Sequence, residues 1–332
     1  MGAIAAMMLV AAGPDDLDGA LRAAAAQYYA KAGTVAAVAG PDTTMDYYER
    51  LVTDAATLHQ SPPAGYPPDA WRAAIRAASQ LDLSLAEQLL ARAYRPMAQI
   101  RGLGEALVRS SKDGTMQPVA VYVPRGYSPA HSAALLVFLH GRDQAESHLL
   151  APSYVQDLAE RTKTILVAPY GRGSYDYDGA ESDVYDALDA AQRAFSIDAR
   201  KRYLVGYSMG GFSVFRLAPL HPSDWTAVMS IAGSLLASRA PRVLGTMASA
   251  RFYILTGFRD DIVPTAYPTA TAIYLRDAGL AVAFYSQPDG THALRSLAPI
   301  LAQAWNDMER GIVRNPSGLT GAPNLPEAVG TP

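Results

Sequence analysis

The sequence predicts an α/β fold: a mostly parallel sheet with helices on both faces, preceded by a helical N-terminal extension. Three observations predict it. From about Gly104 onward, apolar runs of strand length alternate with helix-period stretches, the pattern of a sheet buried on both faces. Before that point, residues 13–103 show helical spacing and no strand alternation. Finally, a serine flanked by glycines stands between a strand-like run and a helix-like one, in Gly206-Tyr207-Ser208-Met209-Gly210.

The elements follow in order. Residues 3–12 form an apolar stretch ending in Val10-Ala11-Ala12, a small-residue ending like a signal cleavage site. No Lys or Arg precedes it. Residues 1–12 therefore read either as a signal-like segment or as an Ala-rich helical start, with a secreted or periplasmic protein slightly favoured over a cytoplasmic one. Helical spacing continues from Leu17 and again over 45–58, until Ser61-Pro62-Pro63-Ala64-Gly65-Tyr66-Pro67-Pro68 breaks it. A helix restarts near Asp69, and another is expected at Ser84, where Glu87 completes a capping-box pattern. This extension reads as a helical layer packed on the main domain or as a lid.

A hairpin opens the second region: 107–109 and 119–123 flank Lys112-Asp113-Gly114-Thr115, an Asp-Gly turn. Strands are then expected at 134–139, 164–168, 202–205, 227–231, 252–255 and 282–285. Helical stretches at 184–195 and 266–278 lie among them. The catalytic-type region spans 104–312, and the Gly/Pro-rich tail of 313–332 has little to bury and reads as disordered.

Composition narrows the function. The chain has 332 residues, half of them hydrophobic and 18% charged, so a sizeable core is expected. A net charge of −3 without a Lys/Arg stripe argues against nucleic acid and anionic membranes as partners. The absence of cysteine excludes disulfides, thiolate metal sites and a thiol nucleophile. No apolar run approaches the roughly 20 residues of a membrane span.

Ligands on open α/β sheets sit beyond the carboxyl ends of the strands, so reactive residues should fall just after strands. Ser208 does, in a pentad that describes a nucleophile elbow: a tight strand-to-helix turn whose glycine flanks leave room for the bend. Of six histidines, His292 follows the last strand in a turn-rich loop. Between the two, Asp260 and Asp261 follow the strand at 252–255. A serine, an acid and a histidine in that order supply a nucleophile, a base, and a carboxylate to fix the base's tautomer. The tetrahedral oxyanion needs two donors. The amide of Met209 follows the nucleophile, and the amide of Arg142 follows the bend at His140-Gly141, after the strand at 134–139. His140 supports that turn rather than moving protons.

These features resemble the α/β-hydrolase superfamily over residues 104–312. Val121-Tyr122-Val123-Pro124, Val137-Phe138-Leu139-His140-Gly141, Ala168-Pro169-Tyr170-Gly171-Arg172-Gly173 and the serine pentad are similar to secreted-type esterases. The nearest groups are the polyhydroxyalkanoate-depolymerase and feruloyl-esterase relatives. The resemblance implies a serine esterase. In Gly257-x-x-Asp260-x-x-Val263-Pro264 it matches that group's acid loop, which favours Asp260 over Asp261. The lack of cysteine and the helical extension depart from the group's pattern.

The expected reaction is carboxylic ester cleavage through an acyl-enzyme, on a small-molecule or polymeric ester. A prolyl-oligopeptidase-like peptidase and a non-catalytic binding protein on the same scaffold are the alternatives. His148, Tyr170, Arg172, Tyr175 and Ser234 are candidate substrate-binding residues, the middle three because the loop 170–182 follows a strand. The acids of that loop lack the spacing and glycine placement of a calcium loop. No metal or cofactor is expected.

Overall fold

A computed structural model describes residues 16–63, 65–316, 318–321 and 323–328. The segment 1–12, read above as signal-like or helical, lies outside them. The chain divides into two compact units, Met1–Tyr94 and Arg95–Pro332.

The described residues of the first unit hold four helices: α1 (Leu17–Ala30), α2 (Ala32–Ala39), α3 (Pro41–Thr57) and α4 (Pro68–Ala91). The Asp16 side chain caps α1 by accepting from the Gly19 amide at 3.1 Å, which satisfies one of the amides that a helix start leaves without a partner. Leu21, Tyr28, Tyr47, Leu51 and Leu85 are buried within the unit. The helix expected to begin at Ser84 does not: α4 runs unbroken through that residue. Leu81, Leu85, Ala86 and Leu89 continue its buried stripe, while Ser84 faces solvent. A Ser-x-x-Glu spacing inside a continuous amphipathic pattern is not a helix start.

The second unit is built on one eight-stranded sheet. Its elements are β1 (Gly102–Arg109), β2 (Met116–Val123), β3 (Ala133–Leu139), α5 (Glu146–Leu150), α6 (Ser153–Thr162), β4 (Thr164–Pro169), α7 (Glu181–Ala194) and β5 (Ile197–Tyr207). They continue as α8 (Met209–Leu217), β6 (Ala227–Ile231), α9 (Ala240–Thr246), β7 (Arg251–Gly257), α10 (Ala266–Asp277), β8 (Ala281–Gln287) and α11 (Ala298–Glu309). The strand order is β1-β2-β4-β3-β5-β6-β7-β8. β2 is antiparallel to both of its neighbours, and β3 to β8 pair in parallel.

Strand alternation sends side chains to both faces, and both are buried. On β3, Leu135, Val137 and Leu139 join one core with Val184 and Leu188 of α7, Phe215 of α8 and Leu275 of α10. Leu136 and Phe138 join the other, with Val155 and Leu158 of α6 and Leu301, Trp305 and Met308 of α11. This two-faced burial is why the strands read as continuous apolar runs.

The expectation of a disordered tail does not fit its described residues. Arg276 on α10 donates to the Leu319 carbonyl at 2.7 Å, and the Ala237 amide donates to Pro326 O at 3.0 Å. Leu319 and Leu325 pack on the first core, two apolar anchors that a polar average composition conceals. Among the described residues, no helix is long and apolar enough to cross a membrane.

Candidate active site

The carboxyl ends of β3, β4, β5, β7 and β8 lie at one end of the sheet, and His140, Tyr170, Ser208, Asp260 and His292 each follow one of them. Ser208 joins β5 to α8 in a strained backbone conformation, φ 53° and ψ −118°. The flanking glycines are required by contact. A Cβ on Gly206 would lie 2.0 Å from Gly210 O, and one on Gly210 would lie 2.4 Å from Leu139 O. The turn therefore closes against the end of β3, and the Phe212 amide returns to Ser208 O at 3.1 Å to start the helix.

Two further loops converge on this serine. His292 Nε2 is 2.8 Å from Ser208 Oγ. Its Nδ1 lies 2.9 Å from Oδ2 and 3.0 Å from Oδ1 of Asp260. A carboxylate only accepts, so Nδ1 carries the hydrogen and the Nε2 lone pair faces the serine hydroxyl. The Asp260 side chain is fully buried and also accepts from the amides of Ile262 at 3.0 Å and Val263 at 2.7 Å. These bonds turn it inward, whereas Asp261 is exposed. The two loops are tied by backbone bonds from Phe258 N to Gln287 O and from Arg259 N to Gly290 O, at 3.0 and 2.8 Å. This lattice fixes the distance between acid and imidazole.

Gly141 sits directly beside the serine: a Cβ there would be 3.3 Å from Ser208 Cβ. Its amide donates to Gln144 Oε1 at 3.2 Å, and the Arg142 amide comes next in the turn. On the other side, the Met209 amide belongs to the first turn of α8, where amides have no intrahelical acceptor. The ring of His140 spans two loops, with Nδ1 2.8 Å from Gly141 O and Nε2 2.8 Å from Tyr170 O.

The five side chains expected to line a substrate pocket have different fates. Arg172 is committed to acids, Asp183 at 2.5 Å and Asp113 at 2.6 Å, and donates to Ser110 Oγ at 2.8 Å. Its guanidinium holds the Asp113 carboxyl well below the usual range, and Arg172 ties the β1–β2 turn to α7. Ser234 is buried and bonded to Thr271 Oγ1 at 2.8 Å and Tyr267 O at 3.1 Å. Tyr170 is also buried, its carbonyl facing His140. His148 is half-buried on α5, with Nδ1 3.4 Å from Ser147 Oγ. Tyr175 alone is exposed, at 43%, and its ring lies 5.0 Å from the Arg142 guanidinium beside the turn. The remaining acids of that loop meet arginines: Asp176 meets Arg239 and Arg216, and Glu181 meets Arg216.

A serine hydroxyl bonded to an imidazole that is itself oriented by a buried carboxylate can attack an acyl carbon, with the imidazole taking and returning the proton. Sequence reasoning missed four contributors around it: Tyr207, Asp176, Tyr177 and Ser213. Tyr207 occupied a variable position of the pentad, and the other three make contacts that no local pattern encodes.

A family model described as the alpha/beta hydrolase family matches residues 136–331. A bifunctional acetylxylan esterase/xylanase from Neocallimastix patriciarum is 25% identical over 163 residues, 46% of this chain and 22% of that protein. The chain thus spans about a fifth of that relative. A thermostable esterase superposes with a TM-score of 0.53 at 18% identity, covering 64% of this chain and 63% of that one. A ferulic acid esterase does so with a TM-score of 0.54 at 16% identity, covering 63% and 97%. At these identities the superpositions show a shared fold.

Proposed function

Because the chain belongs to the α/β-hydrolase family, we propose that it is a serine esterase working through an acyl-enzyme. The observation that carries this reading is the continuous relay of Ser208 Oγ, His292 and Asp260, with contacts of 2.8 and 2.9 Å. Ser208 attacks the ester carbonyl while His292 Nε2 accepts its proton. The imidazolium, held by Asp260, then protonates the departing alcohol. Water repeats the sequence on the acyl-enzyme, so the hydroxyl of Ser208 is regenerated and the acid released. The amides of Met209 and Arg142 stabilise the oxyanion of both tetrahedral intermediates.

Acyl esters of plant polysaccharide type are the first substrates to try, since two of the similar proteins bear the names acetylxylan esterase and ferulic acid esterase. The test is a rate panel of nitrophenyl esters from acetate to long acyl chains, with feruloyl and acetylated xylan esters and a peptide amide. Ester turnover that falls by about 10⁴–10⁶-fold in Ser208→Ala supports the reading. Turnover of the amide alone would favour a peptidase, and undiminished ester turnover in the variant would sink the assignment of Ser208.

A further inference from the structure

Loop 170–182, after β4, was expected to meet substrate, yet Asp176 and Tyr177 within it are buried. Two consecutive residues in it, Asp176 and Tyr177, have left-handed backbone with φ of 60° and 57°. Such conformations are costly for residues with a Cβ, and they persist where surrounding contacts over-determine them. Here the contacts run to both sides of the nucleophile. We propose that Asp176 and Tyr177 are positioning residues for the oxyanion site, each holding one of its two donors; this rests on the esterase reading above.

Tyr177 acts on the first donor. Its side chain is fully buried, its ring centroid lies 5.3 Å from that of His140, and its hydroxyl accepts from the His140 amide at 2.8 Å. Burial holds that hydroxyl protonated. Gly171 makes room for the ring, since a Cβ there would stand 2.5 Å from Tyr177 carbons. The His140 backbone is thus anchored to this loop, and with Nδ1 as the donor of a neutral imidazole the ring holds Gly141 O at 2.8 Å. No peptide bond among the described residues is cis, so the Arg142 N–H points opposite to the Gly141 carbonyl. Fixing that carbonyl on His140 fixes the direction of the Arg142 donor.

Asp176 acts on the second. Its Oδ1 accepts from Ser213 Oγ at 2.7 Å, and that hydroxyl also lies 2.8 Å from Met209 O. Its carboxylate pairs with Arg239, which donates to Phe212 O at 2.8 Å. Its own carbonyl accepts from Arg216 at 2.9 Å. The start of α8 is therefore gripped at Phe212 and Ser213, and the Met209 amide belongs to its first turn. One short loop sets the spacing between two amides that come from different strands.

The test uses Tyr177→Phe and Ser213→Ala, which remove single hydroxyls and keep the packing, with Asp176→Asn as a third variant. Near-UV circular dichroism checks the fold, and any one folded variant decides its half of the proposal. For nitrophenyl acetate, kcat should fall about 10–100-fold with KM within about twofold, below the 10²–10³-fold loss of a deleted oxyanion donor. Affinity for a phenylboronic acid, which forms a tetrahedral adduct on serine, should weaken by the same factor as kcat/KM. The pH midpoint of kcat/KM should stay at the wild-type value, because the His292–Asp260 pair is untouched. Folded variants with wild-type kcat, or with reduced kcat but unchanged boronate affinity, would overturn the proposal. Ser208→Ala run in parallel separates the two claims: an active Ser208→Ala sinks the esterase reading and this inference with it, whereas an inactive one beside unaffected variants sinks only the inference.

Discussion

The hydroxyl of Tyr207 donates to the main-chain carbonyl of His292 at 2.7 Å. The residue preceding Ser208 thus holds the loop that carries His292, and the two ring centroids lie 5.5 Å apart. Serine and histidine are thereby registered to each other by neighbouring atoms, in addition to the contact they make directly. Burial pushes the Tyr207 hydroxyl well above the usual phenol range, so it remains a donor throughout the working pH range.

Tyr207→Phe should lower kcat by about fivefold while leaving the fold intact, since one hydrogen bond of about 1 kcal/mol is lost and the ring stays packed. Steady-state kinetics with the preferred ester, beside a thermal melt, measures both. Unchanged kcat in a folded variant would show that the loop holds its position without this bond.

The acid assignment rests on direction. Asp260 is turned inward by two backbone amides, and Asp261 faces solvent. Asp260→Asn should cost about 10³–10⁴-fold in kcat, since it removes the group that sets the tautomer of His292. Asp261→Asn should stay within about twofold. A larger loss at Asp261 would reverse the assignment.

The helical unit carries a pH dependence of its own. Asp54 on α3 is buried, as are Ser79 and Asp82 on α4. Burial first, then the neighbouring Asp82, pushes its pKa up to about 8, with Ser79 and Arg50 opposing. An unfolded aspartate titrates near about 4. Between those values the folded chain holds a proton that the unfolded chain has released, so this contribution is complete at low pH and declines as pH rises toward about 8. Within that window stability should fall by up to about 1.4 kcal/mol per pH unit. Asp54→Asn mimics the protonated form and should flatten the decline, which urea unfolding at pH 5 and pH 8 would detect. Identical pH dependence in the variant and the wild type would rule this out.

Much of the layout was legible because local physics and tertiary packing agree. The strand at 134–139 reads as continuously apolar because both faces of β3 are covered. The elbow reads as Gly-x-Ser-x-Gly because Gly206 meets the backbone of Gly210, and Gly210 that of Leu139. The order of Ser208, Asp260 and His292 follows the strand ends on which they sit. Other features had no local signal. Arg172 looked like a pocket residue, but its guanidinium is satisfied by Asp183, 11 residues on, and by Asp113, 59 residues away. Nothing in the spacing of the acids of the 170–182 loop marks Asp176 as buried against Ser213 and Arg239. Left-handed backbone at Tyr177 cannot be read from a tyrosine at all. Ser84 shows the reverse failure, a correct local motif overruled by the stripe that surrounds it.

The central claim is that Ser208 is the nucleophile and His292 its base. Intact-protein mass spectrometry after brief exposure to a fluorophosphonate tests it most directly. The account predicts one adduct on the wild type, mapped to Ser208 by digestion, none on Ser208→Ala, and labelling slowed by orders of magnitude in His292→Ala. An unlabelled folded wild type, or equal labelling of Ser208→Ala, would contradict it.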